Sequence, residues 1–155
     1  MSIPMRIAMI VTLFIGFGID QYTKYVVQKM EIATLQITPF FAIKGVVNAG
    51  VSFGMFADFS PLTLVVLTSC IVVVFAFIFW RETRSLSAWS YVCVLSGALS
   101  NIADRVRMGG VFDFFDFHLG GYHFPTFNVA DALITLGAVG LLIDSLRFCP
   151  KSRKR

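Results

Sequence analysis

The chain has 155 residues, of which 57% are hydrophobic and only 14% are charged, and it includes 17 phenylalanines. A soluble domain is about half apolar and about a quarter charged, so this composition excludes an ordinary soluble protein and favours the lipid bilayer as the solvent. The net charge is +4, and residues 151–155 read Lys-Ser-Arg-Lys-Arg. Because this basic tail directly follows an apolar segment, we interpret it as an anchor beside anionic lipid and expect no nucleic-acid partner.

Four segments are long and apolar enough to cross a bilayer as helices, which takes about 20 residues. The predicted spans are about residues 7–24, 61–80, 85–105 and 128–148. The third span carries several Ser and Gly residues, which let membrane helices approach closely. We therefore expect residues 1–155 to form a single integral membrane domain.

The distribution of basic residues predicts the orientation of these spans. Four spans place both termini on the same side of the membrane. Besides the tail, the basic residues on that side are Arg6, Arg81, Arg84 and Arg147. The connections on the other side, residues 25–60 and 106–127, hold only Lys29, Lys44 and Arg107. The positive-inside rule then predicts that both termini are cytoplasmic and that the two connections lie on the outer side of the membrane.

The two outer segments differ in character. Residues 25–60 contain short β-prone runs broken by Pro and Gly, which predict a small sheet. Residues 106–127 are rich in Gly and aromatics, which indicate a loop or short helix that lies as a lid at the membrane interface. The predicted fold class is a membrane all-α protein with four transmembrane helices, a small extracytoplasmic β-sheet and an aromatic lid.

Polar residues gather at the outer ends of three predicted spans, where charged side chains mark function or a specific partner. Asp20 and Lys24 are four residues apart on the first span, so they share a face and can pair. On the third span, Gly97, Asn101 and Arg105 recur every four residues and form one stripe. This stripe combines a position for close helix contact with an amide and a guanidinium group.

Two further polar pairs adjoin this stripe. Asp104 precedes Arg105, and Asn128 and Asp131 are three apart at the start of the fourth span. For Asp104 and Arg105, as for the pair on the first span, simple mutual neutralisation remains an equal alternative to function. Asp131 has no basic residue within a turn, so neutralisation explains it poorly.

A second acidic group comes from the aromatic outer segment. Asp113 is flanked by aromatic residues that disfavour its ionised form, and Asp116 is a rival in the same segment. When two carboxylates share a site, one stays protonated near neutral pH. The charged acid can then activate water while the neutral acid donates a hydrogen bond to a scissile carbonyl. This chemistry is that of an aspartic protease, and it requires no cofactor or metal.

Other functions are weaker alternatives. His118 and His123 lie in the same segment as the acids, but their spacing matches no common zinc motif, so we predict no metal. The main alternative from another class is a small ion- or proton-coupled transporter in which Asp20, Asp131 and Arg105 line a path. Transport normally places ionisable groups near the bilayer midplane, whereas these lie near one face. A third alternative, a non-catalytic assembly factor, leaves the polar stripe unexplained.

Five short motifs occur in order along the chain. They are residues 20–24 (Asp-Gln-Tyr-Thr-Lys), 48–53 (Asn-Ala-Gly-Val-Ser-Phe), 100–105 (Ser-Asn-Ile-Ala-Asp-Arg), 111–114 (Val-Phe-Asp-Phe) and 127–131 (Phe-Asn-Val-Ala-Asp). With these motifs the chain resembles the bacterial lipoprotein signal peptidases, the signal peptidase II family of aspartic membrane proteases, over nearly its full length. Ser52, Ser96 and Ser100 depart from the residues common in that family, but each exchanges one small residue for another.

The resemblance implies that Asp113 and Asp131 form the catalytic dyad, which decides against Asp116. It also implies a set of substrate-binding or supporting residues. They are Asn48, Asn101, Arg105, Asn128, Gly97, Asp104, Ala130, Asp20 and Lys24.

The implied reaction is the removal of the signal peptide from prolipoproteins whose cysteine carries a diacylglyceryl group. The cut falls just before that cysteine, at the outer face of the bacterial cytoplasmic (inner) membrane. The expected partners are these precursors and membrane lipids, and we expect the protein to act as a monomer.

Overall fold

Four helices form the body of the protein in the computed structural model, which describes residues 1–31, 33–50 and 60–148. Their bounds are α1 (Ile3–Lys29), α2 (Pro61–Arg81), α3 (Ser85–Met108) and α4 (Val129–Phe148). All four are long and apolar enough to cross a membrane, which confirms the predicted four-helix architecture. The first helix extends beyond the predicted span at both ends.

Local sequence signals fix several helix ends. The Ser60 hydroxyl accepts the backbone N–H of Thr63 at 3.1 Å, and Pro61 follows in the first turn, where its missing N–H costs nothing. Helix α3 ends at Gly109, whose φ of 75° is a left-handed conformation that favours glycine.

Helix α3 is the central helix, because it packs against each of the other three. Apart from Ser85 at its start, its Ser and Gly residues are buried, which explains why its sequence is less hydrophobic than that of α2, whose surface is largely exposed. The main apolar cluster joins α1, α2 and α3. It consists of Met9, Leu13, Phe79, Ala88, Val92 and Leu95.

A four-stranded antiparallel sheet in the order β1–β2–β3–β4 lies at the end of the bundle where α1 and α3 end and α4 begins. Its strands are β1 (Leu35–Thr38), β2 (Phe41–Asn48), β3 (Val111–Leu119) and β4 (Tyr122–His123). The sheet predicted within residues 25–60 is therefore present as β1 and β2. The sheet is larger than predicted, because residues 106–127 supply β3 and β4 where a loop or short helix was expected. The run of β-prone aromatics in this segment pairs directly with β2.

An irregularity in β2 sets the register of the central strand pair. The register shifts between Ile43 and Val46, and a Cβ atom on the intervening Gly45 would lie 2.9 Å from the Phe112 ring. Glycine is therefore required for this close approach. After the shift, Val46 of β2 pairs with Asp113 of β3, so the end of β2 lies beside this acidic residue.

Some predictions fall outside the described residues. They concern Ser52 with the rest of its motif after Gly50, and the basic tail at residues 151–155.

Candidate active site

Asp113 lies in the middle of the sheet and is almost completely buried, with 1% of its surface exposed. Its Oδ1 accepts a hydrogen bond from the side-chain amide of Asn128 at 2.6 Å, and its Oδ2 accepts one from the side-chain amide of Asn48 at 3.0 Å. The two donors come from opposite directions, since Asn48 ends β2 and Asn128 immediately precedes α4. The carboxyl group is thus held at both oxygens.

Asp131 lies in the first turn of α4 and forms a reciprocal cap with Asn128. The Asp131 backbone N–H donates to Asn128 Oδ1 at 2.9 Å, and the Asn128 backbone N–H faces Asp131 Oδ2 at 3.4 Å. This capping box satisfies N–H groups that the start of a helix leaves without partners. The other carboxylate oxygen, Oδ1, accepts the side-chain amide of Asn101 at 2.8 Å.

Asn128 connects the two acids. Its side-chain nitrogen donates to Asp113 while its side-chain oxygen and backbone N–H engage Asp131. Each of the four carboxylate oxygens therefore has one N–H donor, supplied by Asn48, Asn101 and Asn128. The structure brings together five of the residues that the sequence motifs singled out.

Burial and charge both act on Asp113. Burial first, and then the neighbouring charge of Asp131, raise the pKa of Asp113 to about 7, against the lowering effect of the two amide donors. Asp113 is more deeply buried than Asp131, which is half-buried. Near neutral pH this arrangement favours a proton on Asp113.

The orientation of Asn101 is determined by Lys24. The Lys24 ammonium donates to Asn101 Oδ1 at 3.0 Å, and an ammonium group cannot accept a hydrogen bond, so the Asn101 amide nitrogen has to point away from it. That nitrogen is the one that donates to Asp131. Lys24 is 2% exposed and forms ion pairs of 2.7 Å with both Asp20 and Asp104.

Asp20 anchors the start of α4. Its Oδ1 accepts the backbone N–H of Ala130 at 2.7 Å, and its Oδ2 accepts the Ser100 hydroxyl at 2.7 Å. A carboxylate is favoured at this position because the N-terminus of a helix is electropositive. Ala130 is fully buried, and any Cβ atom added at Gly97 would collide with its carbonyl oxygen. Gly97 thus allows α3 and α4 to approach closely beside the acids.

The suggested neutralisation of Asp104 by Arg105 is wrong. Asp104 pairs instead with Lys24 and with Arg107 at 2.9 Å, and it accepts the Phe112 backbone N–H at 3.3 Å. Consecutive residues on a helix point about 100° apart, so Asp104 faces α1 while Arg105 faces the sheet. Arg105 is buried and donates to the Gly50 carbonyl oxygen at 3.2 Å.

Gln21 and Ser100 were not predicted as site residues. The Gln21 amide nitrogen donates to the Ser100 hydroxyl at 2.8 Å and to Asp104 Oδ1 at 2.9 Å, and its oxygen accepts from Arg107. Ser100 was attributed to helix packing alone, yet it also bonds Asp20. The sequence feature that could have identified Gln21 as a site residue was its position in the first motif, three residues before Lys24.

Asp116 does not belong to this cluster. It is three residues from Asp113 on β3, so its side chain leaves the opposite face of the strand. There its Oδ1 lies 2.8 Å from His123 Nδ1. The structure therefore separates the two aspartates that the sequence of this segment could not distinguish.

The comparisons with known proteins point to one family. Residues 12–147 match the family model described as signal peptidase (SPase) II. The chain is 38% identical over 138 residues to a lipoprotein signal peptidase of Francisella tularensis subsp. mediasiatica. This match covers 82% of this chain and 84% of that protein. It is 36% identical over 155 residues to a lipoprotein signal peptidase of Bartonella bacilliformis, with 96% of this chain and 92% of that protein covered.

The fold also matches a solved structure, that of a bacterial membrane enzyme determined by the in meso method at 2.3 Å resolution. The TM-score is 0.84 at 26% sequence identity, and the match covers 96% of this chain and 94% of that one. The transporter alternative finds no support in these matches. The chain is a multi-pass membrane protein and belongs to the signal peptidase II family of aspartic proteases.

Proposed function

We propose that Asp113 and Asp131 are the catalytic dyad of an endopeptidase that removes the signal peptide from diacylglyceryl-modified prolipoproteins. The observation that supports this most directly is the shared donor Asn128, which bonds one acid through its side-chain nitrogen and the other through its oxygen and backbone. An amide in that position holds two carboxyl groups toward a common space without neutralising either one.

In the proposed reaction the two acids have different protonation states. Asp131, which is half-buried, is the charged partner and removes a proton from water, whose oxygen attacks the scissile carbonyl carbon. Asp113, whose pKa is raised to about 7, donates its proton to the carbonyl oxygen. When the tetrahedral gem-diol intermediate collapses, the C–N bond breaks and the proton held by Asp131 passes to the leaving amine. One hydroxyl of the intermediate returns its proton to Asp113, so a carboxylic acid forms and both acids regain their starting protonation states. No covalent enzyme intermediate is formed.

The remaining polar residues support or position this pair. Asn48 and Asn101 each hold one acid, and Lys24 orients Asn101. Arg105, which faces the sheet beside Gly50, is placed to contact the substrate backbone. Asp20, Asp104, Gly97 and Ala130 support the site by holding α1, α3 and α4 together.

The same proposal includes the position of the site relative to the membrane. We infer that the termini are cytoplasmic and that the sheet lies at the outer face of a bacterial inner membrane, because basic residues are concentrated on the side of the termini. A site at that height can meet the junction between a membrane-embedded signal helix and the lipid-bearing cysteine. The chain then acts as a single membrane domain and as a monomer, with membrane lipids around α2.

Cleavage of a defined precursor tests the chemistry. The purified protein in detergent is incubated with a prolipoprotein that carries the diacylglyceryl group, and with the same precursor without it. Cleavage is expected only for the lipid-modified form, just before the cysteine, and Asp113→Asn and Asp131→Asn should each abolish it. Asp144→Asn is the matched control, because Asp144 is a buried acid at the opposite end of the bundle, paired with Arg84 at 2.9 Å. Retention of most activity in either dyad variant would contradict the assignment.

Reagent accessibility tests the orientation separately. In a variant without native cysteines, single cysteines replace the exposed residues Leu119 in the sheet and Trp80 at the end of α2. A membrane-impermeant thiol reagent added to intact cells stripped of their outer membrane should label only the Leu119→Cys variant. Labelling of Trp80→Cys alone would show that the orientation is the reverse of the one proposed, and it would leave the assignment of the dyad unaffected.

A further inference from the structure

Three metal-ligating side chains meet on the face of β3 opposite to Asp113. They are Asp116 and His118 of β3 and His123 of β4, and their ligand atoms all lie within 4.8 Å of one another. None of them takes part in the mechanism proposed above. We propose that this Asp–His–His cluster is a divalent-cation site, with Zn²⁺ as the preferred ion, that ties β4 to β3.

Strand geometry places the three residues together. Asp116 and His118 are two residues apart on β3, so they share a face, and His118 pairs with His123 across the antiparallel ladder. The connecting turn uses Gly120 and Gly121, both with positive φ, of 58° and 86°. The two imidazole rings stack with centroids 4.9 Å apart. The ligands are therefore carried by a hairpin of defined register.

The spacing of the ligand atoms fits a small tetrahedral ion. Asp116 Oδ1 lies 2.8 Å from His123 Nδ1, and Asp116 Oδ2 lies 3.8 Å from His118 Nδ1. In a tetrahedral zinc site with bonds of about 2.0–2.1 Å, neighbouring ligand atoms are about 3.3 Å apart. The observed distances fall on either side of this value, and all the ligand atoms lie within 4.8 Å of one another, so side-chain rotations would bring them around one ion. Three protein ligands leave the fourth position for a water molecule.

His118 provides an independent sign that a partner belongs at this point. Among the residues that the structure describes, its buried Nδ1 atom has no hydrogen-bond partner, and the Asp116 Oδ2 atom 3.8 Å away is too distant for a hydrogen bond. A cation bound between His118 and Asp116 would satisfy this nitrogen. His123 is 53% exposed at its side chain and leaves a path for the ion from solvent.

The other ring nitrogen of His118 already has a neighbour, as metal-binding histidines usually do. His118 Nε2 lies 2.9 Å from the side-chain amide of Gln36 on β1. The Gln36 amide nitrogen also donates to the Thr38 carbonyl oxygen at 2.5 Å, which fixes this nitrogen toward His118. For Nδ1 to bind a metal, the ring proton resides on Nε2, so the His118 ring has to move away from the Gln36 nitrogen when the ion binds.

From the sequence we predict no metal at the two histidines, and the proposed cation site departs from that prediction. Asp116, His118 and His123 follow the spacing Asp-x-His-x4-His, which matches no common zinc motif on a helix or knuckle. Only the register of β3 and β4 places His123 opposite His118.

Metal titration of the full chain tests the proposal. The protein is purified without a polyhistidine tag, stripped with a chelator and titrated in detergent with Zn²⁺, and in parallel with Co²⁺ to follow its visible ligand-field bands. We expect one saturable equivalent, tetrahedral Co²⁺ bands that Zn²⁺ displaces, and no competition from Mg²⁺. Absence of saturable binding would overturn the proposal.

Matched variants locate the ion. His118→Gln and His123→Gln each remove a ligand and should weaken binding by more than about 100-fold, beyond the roughly 10–100-fold loss that is typical when a residue that only orients a ligand is removed. Glu31→Gln, which removes an exposed carboxylate that is not part of the cluster, should leave binding unchanged. Unchanged binding in the two histidine variants would overturn the site.

A last measurement needs no variant, because the chain contains only two histidines and both belong to this cluster. Saturating Zn²⁺ should protect both from carbethoxylation by diethyl pyrocarbonate and shift both sets of imidazole NMR signals. Equal reactivity and unshifted signals with and without Zn²⁺ would exclude the site. This readout does not depend on peptidase activity, so it tests the metal site separately from the proposed function.

Discussion

The ammonium group of Lys24 donates to the side-chain oxygen of Asn101 at 3.0 Å and so directs the amide nitrogen of Asn101 toward Asp131. The buried ammonium group on α1 thus orients the Asn101 amide on α3, and this amide in turn donates to Asp131 on α4. The proposed dyad of Asp113 and Asp131 is therefore held by a network that includes residues of α1 and α3.

Lys24→Met should therefore strongly destabilise the protein. The substitution leaves Asp20 and Asp104 buried without their shared cation, and breaking a buried ion pair from one side typically costs about 3–5 kcal/mol. Thermal unfolding in detergent measures the loss. Lys29→Met, at the exposed end of the same helix, should shift the unfolding temperature little. Adding Asp104→Asn to Lys24→Met should recover part of the loss, and no recovery would mean that lost packing rather than charge is responsible.

Asn128→Asp should separate catalysis from helix capping. The carboxylate still caps α4, but it offers no N–H to Asp113 and adds a negative charge beside it. We expect cleavage to fall by at least about 100-fold, the scale of losing one preorganised donor at a reacting centre. The unfolding free energy should fall by more than the roughly 1 kcal/mol that loss of a cap costs in Asn128→Ala, because Asn128 is fully buried and the new carboxylate lies beside two acids. Full activity in Asn128→Asp would show that the hydrogen bond from Asn128 to Asp113 is not needed for cleavage.

The pH dependence of cleavage should reflect the proton on Asp113. Its pKa is raised to about 7, so Asp113 is protonated below that pH and ionised above it. The value of kcat/KM should therefore decline as pH rises through about 7, because a dyad with both acids ionised has no proton to donate. Initial rates with a fluorescent lipid-modified peptide from pH 5 to 9 give the profile. A flat alkaline limb up to pH 9 would contradict a proton on Asp113.

The same pKa predicts how stability varies with pH. A carboxyl group whose pKa is higher in the folded than in the unfolded state costs stability as pH rises from its unfolded pKa, 3.8, to its folded value near 7. Asp113→Asn cannot ionise, so its unfolding temperature relative to that of the unsubstituted protein should increase across this window. Asp144→Asn supplies the comparison, since it leaves Asp113 in place. A constant difference for Asp113→Asn would argue against the raised pKa.

Gly97→Val should disturb the contact between α3 and α4. Even a Cβ atom at Gly97 would collide with the Ala130 carbonyl and lie 2.9 Å from Ile134, so the helices would have to separate near Asp131. Overpacking of this kind costs about 1–3 kcal/mol. Gly18→Ala is the control, because a Cβ atom at Gly18 meets no described residue within 4 Å and alanine favours the helix by about 1 kcal/mol. Equal unfolding temperatures for the two variants would show that the close approach is not needed.

Much of the architecture follows from the sequence because hydrophobic length and helical periodicity are local properties. The four apolar runs predicted four helices, and the spacing of Asn101 and Arg105 placed both on one face of the third. β1 and β2 were likewise indicated by β-prone residues between turn formers. β3 and β4 were missed, because Val111–Leu119 alternates poorly between polar and apolar residues and its strand character depends on pairing with β2.

Sequence by itself determined that polar residues collect at one end of the bundle and that Asp113 and Asp131 match a catalytic motif. The tertiary structure decided their neighbours: Asp104 pairs with Lys24 rather than Arg105, and Asp116 meets two histidines rather than Asp131. The physical reason is that periodicity assigns a side chain to a face of its own helix or strand. Which partner lies opposite that face depends on helix packing and strand register, which are set by contacts between residues far apart in the chain.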